Sequence, residues 1–60
     1  MKIIDNESKK VYELKSIYYD STFQRTIYRF YSINCSWSIP VYNNETLNQV
    51  LEKNNLSIDK

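Results

Sequence analysis

The chain has 60 residues, 42% of them hydrophobic, with eight basic and seven acidic side chains for a formal net charge of +1. That length allows one domain, residues 1–60, and a domain so small buries only about 60% of the surface its unfolded chain exposes. Near-neutral charge argues against a dedicated nucleic-acid binder and against a polybasic membrane anchor, both of which need a basic excess.

The N-terminal residues Met1–Ser8 contain no long apolar run, and no segment approaches the ~20 apolar residues of a membrane span. The single cysteine, Cys35, cannot form an internal disulfide, whereas small secreted domains usually carry several. The expected setting is therefore soluble and cytoplasmic, with no membrane association. Four N-x-S/T triplets, beginning at Asn6, Asn34, Asn44 and Asn55, read as chance in an Asn- and Ser-rich chain. Glycine is absent, so turns must use Asn, Asp and Ser, which tolerate left-handed backbone comparatively well.

In chain order, Lys2-Ile3-Ile4 reads as a short first strand and Asp5–Lys9 as a turn. A second strand is expected from about Lys10 to Tyr19. Tyr12, Leu14 and Tyr18 share one parity there, with Glu13 and Lys15 on the other. Val11, Ile17 and Tyr19 break that alternation, which predicts either a bulge near Lys15-Ser16 or cover on both faces. Asp20-Ser21-Thr22 is the next turn.

Phe23–Tyr42 is the aromatic and β-branched centre of the chain, rich in the residue types that suit a half-buried pleated surface. A third strand, about Phe23–Ile33, shows one parity of Phe23, Arg25, Ile27, Arg29, Tyr31 and Ile33, and another of Thr26, Tyr28 and Phe30. Neither is purely polar, as expected of a central strand. In the fourth strand Cys35, Trp37, Ile39 and Val41 share one face. Pro40 cannot donate to a ladder, so this strand should be an edge or end there.

Asn43 and Asn44 offer a helix N-cap. Leu47, Val50 and Leu51 follow helical spacing, Lys53 suits the last turn, and Asn55 suits the left-handed position beyond it. Leu56-Ser57-Ile58 reads as a short extended tail. The expected fold class is α+β: a small four-stranded antiparallel meander followed by one C-terminal α-helix packed on one sheet face. Trp37 should be largely buried under that helix.

Without histidine no Ser-His or Cys-His pair can form. Cys35, in phase with Trp37, Ile39 and Val41, reads as buried and structural. The carboxylates are scattered, and neither a zinc-ligand cluster, a calcium loop nor a glycine-rich phosphate loop is present. The expectation is a non-enzymatic protein with no cofactor and no metal.

Six tyrosines in so short a chain exceed what a small core needs. Tyrosine and arginine are enriched at protein interfaces. Arg25, Ile27, Arg29 and Tyr31 share a parity and are the predicted protein-binding stripe, because burying two unpaired guanidinium groups is costly. The competing structural reading is a solvated strand whose arginines pair with carboxylates across the sheet. The expected partner is another protein, a homodimer through the strand-rich face being a second option. A single-stranded nucleic-acid platform built on the same aromatic and Arg face is the alternative. In size and general character, though in no diagnostic motif, the chain resembles the small orphan proteins of phages and mobile elements in low-GC bacteria. That resemblance implies an inhibitor that blocks a host enzyme or defence nuclease by occupying its surface.

Overall fold

The computed structural model describes residues 1–59. Five strands and one helix follow in the order β1 Lys2–Asp5, β2 Val11–Asp20, β3 Arg25–Ser32, β4 Cys35–Tyr42, α1 Leu47–Lys53 and β5 Leu56–Asp59. All adjacent strand pairs are antiparallel, and the spatial order is β4-β3-β2-β1-β5. The fold class is α+β, and its first four strands form the expected meander. The expected count of four strands is corrected to five, because Leu56–Asp59 pairs with β1 instead of trailing as a tail. Asn55 turns the chain back with a left-handed φ of 58°. The Asn6 amide then donates to the Asn55 carbonyl at 3.0 Å, and the Ser57 hydroxyl bonds Asn6 Oδ1 at 3.0 Å. Leu56, buried beside α1, anchors the strand. Four residues are too few to show a period, which is why sequence alone reads them as a tail.

The bulge expected near Lys15 is present. Leu14 pairs with Phe30 and Ser16 with Arg29, leaving Lys15 as the extra residue. Its effect is to exchange the two faces of β2. Before it, Tyr12 and Leu14 face the helix side; beyond it, Ile17 and Tyr19 do, with Tyr18 and Asp20 on the opposite face. Ile17 and Tyr19 therefore break the alternation because the phase shifts before them, whereas Val11, ahead of the bulge, is an apolar residue on the face away from the helix, opposite Ile4.

Two hairpin loops solve the absence of glycine in the same way. Asp5 opens the first, its Oδ1 accepting from the amides of Glu7 at 2.9 Å and Ser8 at 3.4 Å. Asp20 opens the second, accepting from the Thr22 amide at 3.1 Å. Each loop closes on a left-handed residue, Lys9 at φ 66° and Gln24 at φ 51°. The two-residue turn Ile33-Asn34 joins β3 to β4 without positive φ.

The core lies between the sheet and α1. It comprises Ile3, Tyr12, Phe30, Ile39, Val41, Val50, Leu51 and Leu56. Helix α1 starts later than the asparagines suggest. Its N-cap is Thr46, which forms a capping box with Gln49: the Gln49 amide donates to Thr46 Oγ1 at 3.2 Å and the Thr46 amide to Gln49 Oε1 at 2.8 Å. Such reciprocal capping satisfies two end groups where an Asn cap satisfies one.

Trp37 is partly buried and packs against the core, its ring centroid 5.2 Å from that of Tyr12, edge-on, and 6.3 Å from that of Phe30. One burial expectation is corrected. Cys35 is exposed. A seven-residue helix is about 10 Å long, while the outer strands of a five-stranded sheet lie about 19 Å apart. Such a helix cannot cover the whole face, so Cys35 at the start of β4 and Ile17 and Tyr19 on β2 stay uncovered.

Left-handed backbone costs a residue with a Cβ roughly 1–2 kcal/mol, part of which glycine gives back in unfolded-state entropy. Lys9→Gly and Gln24→Gly should each raise stability by about 0.5–1 kcal/mol. Urea denaturation measures this, and an unchanged or lowered midpoint in both variants would contradict the assigned turns.

Candidate functional site

The register of the sheet defines the face that α1 leaves open. Across its middle run four rows of directly opposed residues: Glu13, Tyr31 and Ser36; Ser16, Arg29 and Ser38; Tyr18, Ile27 and Pro40; Asp20, Arg25 and Tyr42. Lys2 extends the first row, and Ile4 opposite Val11 adds an apolar corner. Opposed residues in an antiparallel sheet point the same way. Arg25, Ile27, Arg29 and Tyr31 thus lie together on one face, opposite to Phe30 and Ile39, which pack into the core with the helix.

Their environments differ. Arg25 is the organised member: its Nε donates to Asp20 Oδ2 at 3.0 Å and its Nη1 to the Tyr42 hydroxyl at 3.2 Å. Its guanidinium also lies 4.9 Å from the Phe23 ring centroid and 5.7 Å from that of Tyr42. The hydrogen bond to Asp20 first, and that to Tyr42 second, push its pKa above the ordinary arginine value. Ile27 is buried at 6% exposure although it lies outside the core cluster. Its opposite neighbours Tyr18 and Pro40, with Arg25 and Arg29 on either side in sequence, enclose it on the open face. Tyr31 is 44% exposed, its hydroxyl 3.5 Å from Glu13 Oε2. Arg29 is exposed and forms no ion pair among the described residues. Pairing with a carboxylate, the competing reading of the stripe, therefore holds for Arg25 and not for Arg29.

Sequence reasoning missed two members of this face. Tyr18 shares parity with Tyr12 and was expected beside it, but the bulge carries it across; it is 50% exposed. Tyr42, 42% exposed, stands opposite Arg25 at the end of β4. The break in alternation after Lys15 is the signal that locates Tyr18. Three cationic side chains (Lys2, Arg25, Arg29) and three anionic ones (Glu13, Asp20, Asp59) share this face, by the strand register.

Strand β4 is an edge, as Pro40 implies. The Asn43 amide donates to the Gln24 carbonyl at 3.2 Å, continuing the ladder beyond the strands. Alternate pairs are hydrogen-bonded in an antiparallel ladder, so Val41, Ile39, Trp37 and Cys35 bond β3. Pro40 stands at a pair that needs no donor. At the end of the edge, the Tyr42 amide donates to Glu45 Oε1 at 3.1 Å and the Glu45 amide to the Tyr42 carbonyl at 3.0 Å. The Tyr42 amide, with Lys53 3.3 Å away in support, holds the Glu45 carboxyl below its usual range.

One depression, about 610 Å³, is polar and lined by Asn44, Glu45, Gln49, Glu52 and Lys53 on the helix surface. A second, about 370 Å³, runs between α1 and the β4 edge past Trp37, Ile39 and Val50. Among the described residues no group of three Cys, His or carboxylate ligands converges, and no helix is long and apolar enough to cross a membrane. Comparison with protein-family models, with curated proteins and with solved structures finds no match.

Asp5 and Glu45 both have carboxyl pKa values lowered by backbone amides, those of Glu7 and Ser8 for Asp5 and that of Tyr42 for Glu45. A depressed folded pKa contributes stability that is present above the unfolded value and lost as pH falls through the folded one. The melting temperature should hold above about pH 5 and fall on acidification below about pH 4. Glu45→Gln should flatten part of that fall. Melting curves across this range test it, and a wild-type Tm that does not drop would contradict the assigned bonds.

Proposed function

We propose that the protein acts by binding another protein through the open sheet face centred on Arg25, Ile27, Arg29 and Tyr31. The supporting observation is the makeup of that face. Half-exposed Tyr18, Tyr31 and Tyr42 surround buried Ile27, with the unpaired guanidinium of Arg29 beside them. Interface energy concentrates in a few aromatic and arginine side chains around an apolar centre. Arg25 has a different part: held by Asp20, Tyr42 and Phe23, it braces the corner where the three meet. Blocking a target by occupying its surface, as the resemblance to phage and mobile-element proteins implies, is the corresponding mode of action.

Single-stranded nucleic acid is the second reading, favoured by the same tyrosines as stacking platforms. The even balance of charge on the face weighs against it, because phosphate contacts dominate such affinity.

Arg29→Ala and Tyr31→Ala should preserve the fold and each weaken target binding about thirtyfold or more. A pull-down with wild type and both variants, beside a gel shift with single-stranded DNA and RNA at physiological salt, tests the assignment. Retention of the same partner by both variants would remove this face. A salt-sensitive shift with no protein partner would transfer the function to nucleic acid.

A further inference from the structure

The two edges of the sheet are protected unequally. Strand β5 is four residues long and ends on Asp59. Strand β4 has eight residues and no charged side chain, whereas exposed edges usually carry lysine or another charge against pairing. Its outward backbone groups are those of Ser36, Ser38, Pro40 and Tyr42, since the intervening residues bond β3. Pro40 has no amide to offer, and Glu45 occupies both groups of Tyr42. The open donors of this edge are therefore the amides of Ser36 and Ser38.

We infer that β4 pairs with β4 of a second copy of this chain, antiparallel about a two-fold axis at Trp37, joining two sheets into one. In that register Ser36 stands opposite Ser38 of the partner copy, and the reverse. Each amide of the two serines meets a carbonyl of the other copy, with no donor or acceptor of either serine left over. Centring the axis on Ser38 instead sets Ser36 against Pro40, which lacks an amide and leaves a carbonyl unpaired. Centring it on Ser36 sets Ser38 against Asn34 in the turn.

The same register accounts for the apolar side chains of the edge. Trp37 of each copy faces its counterpart, and exposed Cys35 falls opposite Ile39 of the partner copy, at the groove of about 370 Å³ beside Val50. Ile33, 96% exposed at the hairpin tip, comes beside Val41. The tip of the partner's hairpin ends where Glu45 closes the edge. No formal charge lies between Ile33 and Tyr42, so pairing opposes no like charges. An interface at the low end of specific complexes, about 1,200 Å² in total, takes roughly one seventh of each copy's 4437 Å². The pairing uses the edge and not the open face, so it stands apart from the proposed target binding and either can fail alone.

Sedimentation of the whole chain from about 10 µM to about 1 mM should show concentration-dependent dimerisation. Ser38→Pro removes an outward amide that β3 does not use, as Pro40 already does. Ile33→Asp changes the exposed tip and leaves the ladder intact. Both should keep the far-UV spectrum and weaken dimerisation at least about tenfold. A wild type that remains monomeric throughout overturns the inference. So does a dimer indifferent to both folded variants, or one abolished by Arg29→Ala and Tyr31→Ala instead.

Discussion

The extra residue Lys15 in β2 is the constraint on which both faces of the sheet depend. In a strand of strict alternation Tyr12, Leu14, Ser16, Tyr18 and Asp20 would all point one way. Tyr12 and Leu14 pack against the core, so Asp20 would then point to the helix side, away from Arg25. The bulge resolves the conflict by exchanging faces between Leu14 and Ser16. The first half of β2 thus serves the core through Tyr12 and Leu14. Its second half serves the open face through Tyr18 and through Asp20, which bonds Arg25. Without the shift, Ile27 would lose the Tyr18 ring opposite it.

A second constraint is the absence of glycine. Three positions require positive φ, and only Asn55 is a residue that adopts it comparatively readily. Lys9 and Gln24 adopt it where the tight loops leave no alternative. The aspartate opening each loop helps offset the cost by satisfying amides that face away from the ladder. Gln24 also contributes the carbonyl that Asn43 bonds. The strain at the β2–β3 loop therefore bears on the end of β4 and the corner where Arg25, Phe23 and Tyr42 meet.

Much of this was legible in the sequence, because most of it is written in strong local signals. The meander, the edge position of β4 and the bulge follow from period-2 patterning, Pro40 and a broken alternation. The common face of Arg25, Ile27, Arg29 and Tyr31 follows from parity and the cost of burying a guanidinium. What was not legible depends on tertiary extent. Leu56–Asp59 becomes a strand because β1 has a free side for it. The helix begins at the Thr46 capping box, where reciprocal bonding wins over the asparagines upstream. Cys35 is exposed because the helix is shorter than the sheet is wide. The burial of Ile27 on the open face arises from Tyr18, which the bulge brings there.

The shortness of α1 decides how the remaining apolar surface is distributed. The helix joins opposite edges of the sheet, so it must cross from β4 to β5, and it covers only what lies on that path. Ile17 and Tyr19 are left on the helix side, and Tyr18, Tyr31 and Tyr42 on the other. Scattered exposed apolar residues are ordinary on a protein surface, so number alone does not single out a site. The open face differs in order. Its arginine at the corner is fixed by a carboxylate and two rings, its central isoleucine is enclosed, and its tyrosines ring that centre with Arg29 free beside them. A side chain already held in place loses little entropy on binding, and an exposed unpaired guanidinium retains its hydrogen-bonding capacity. On the helix side the Asn43 side-chain amide donates to the Tyr19 hydroxyl at 3.2 Å, but no fixed arginine braces it or Ile17.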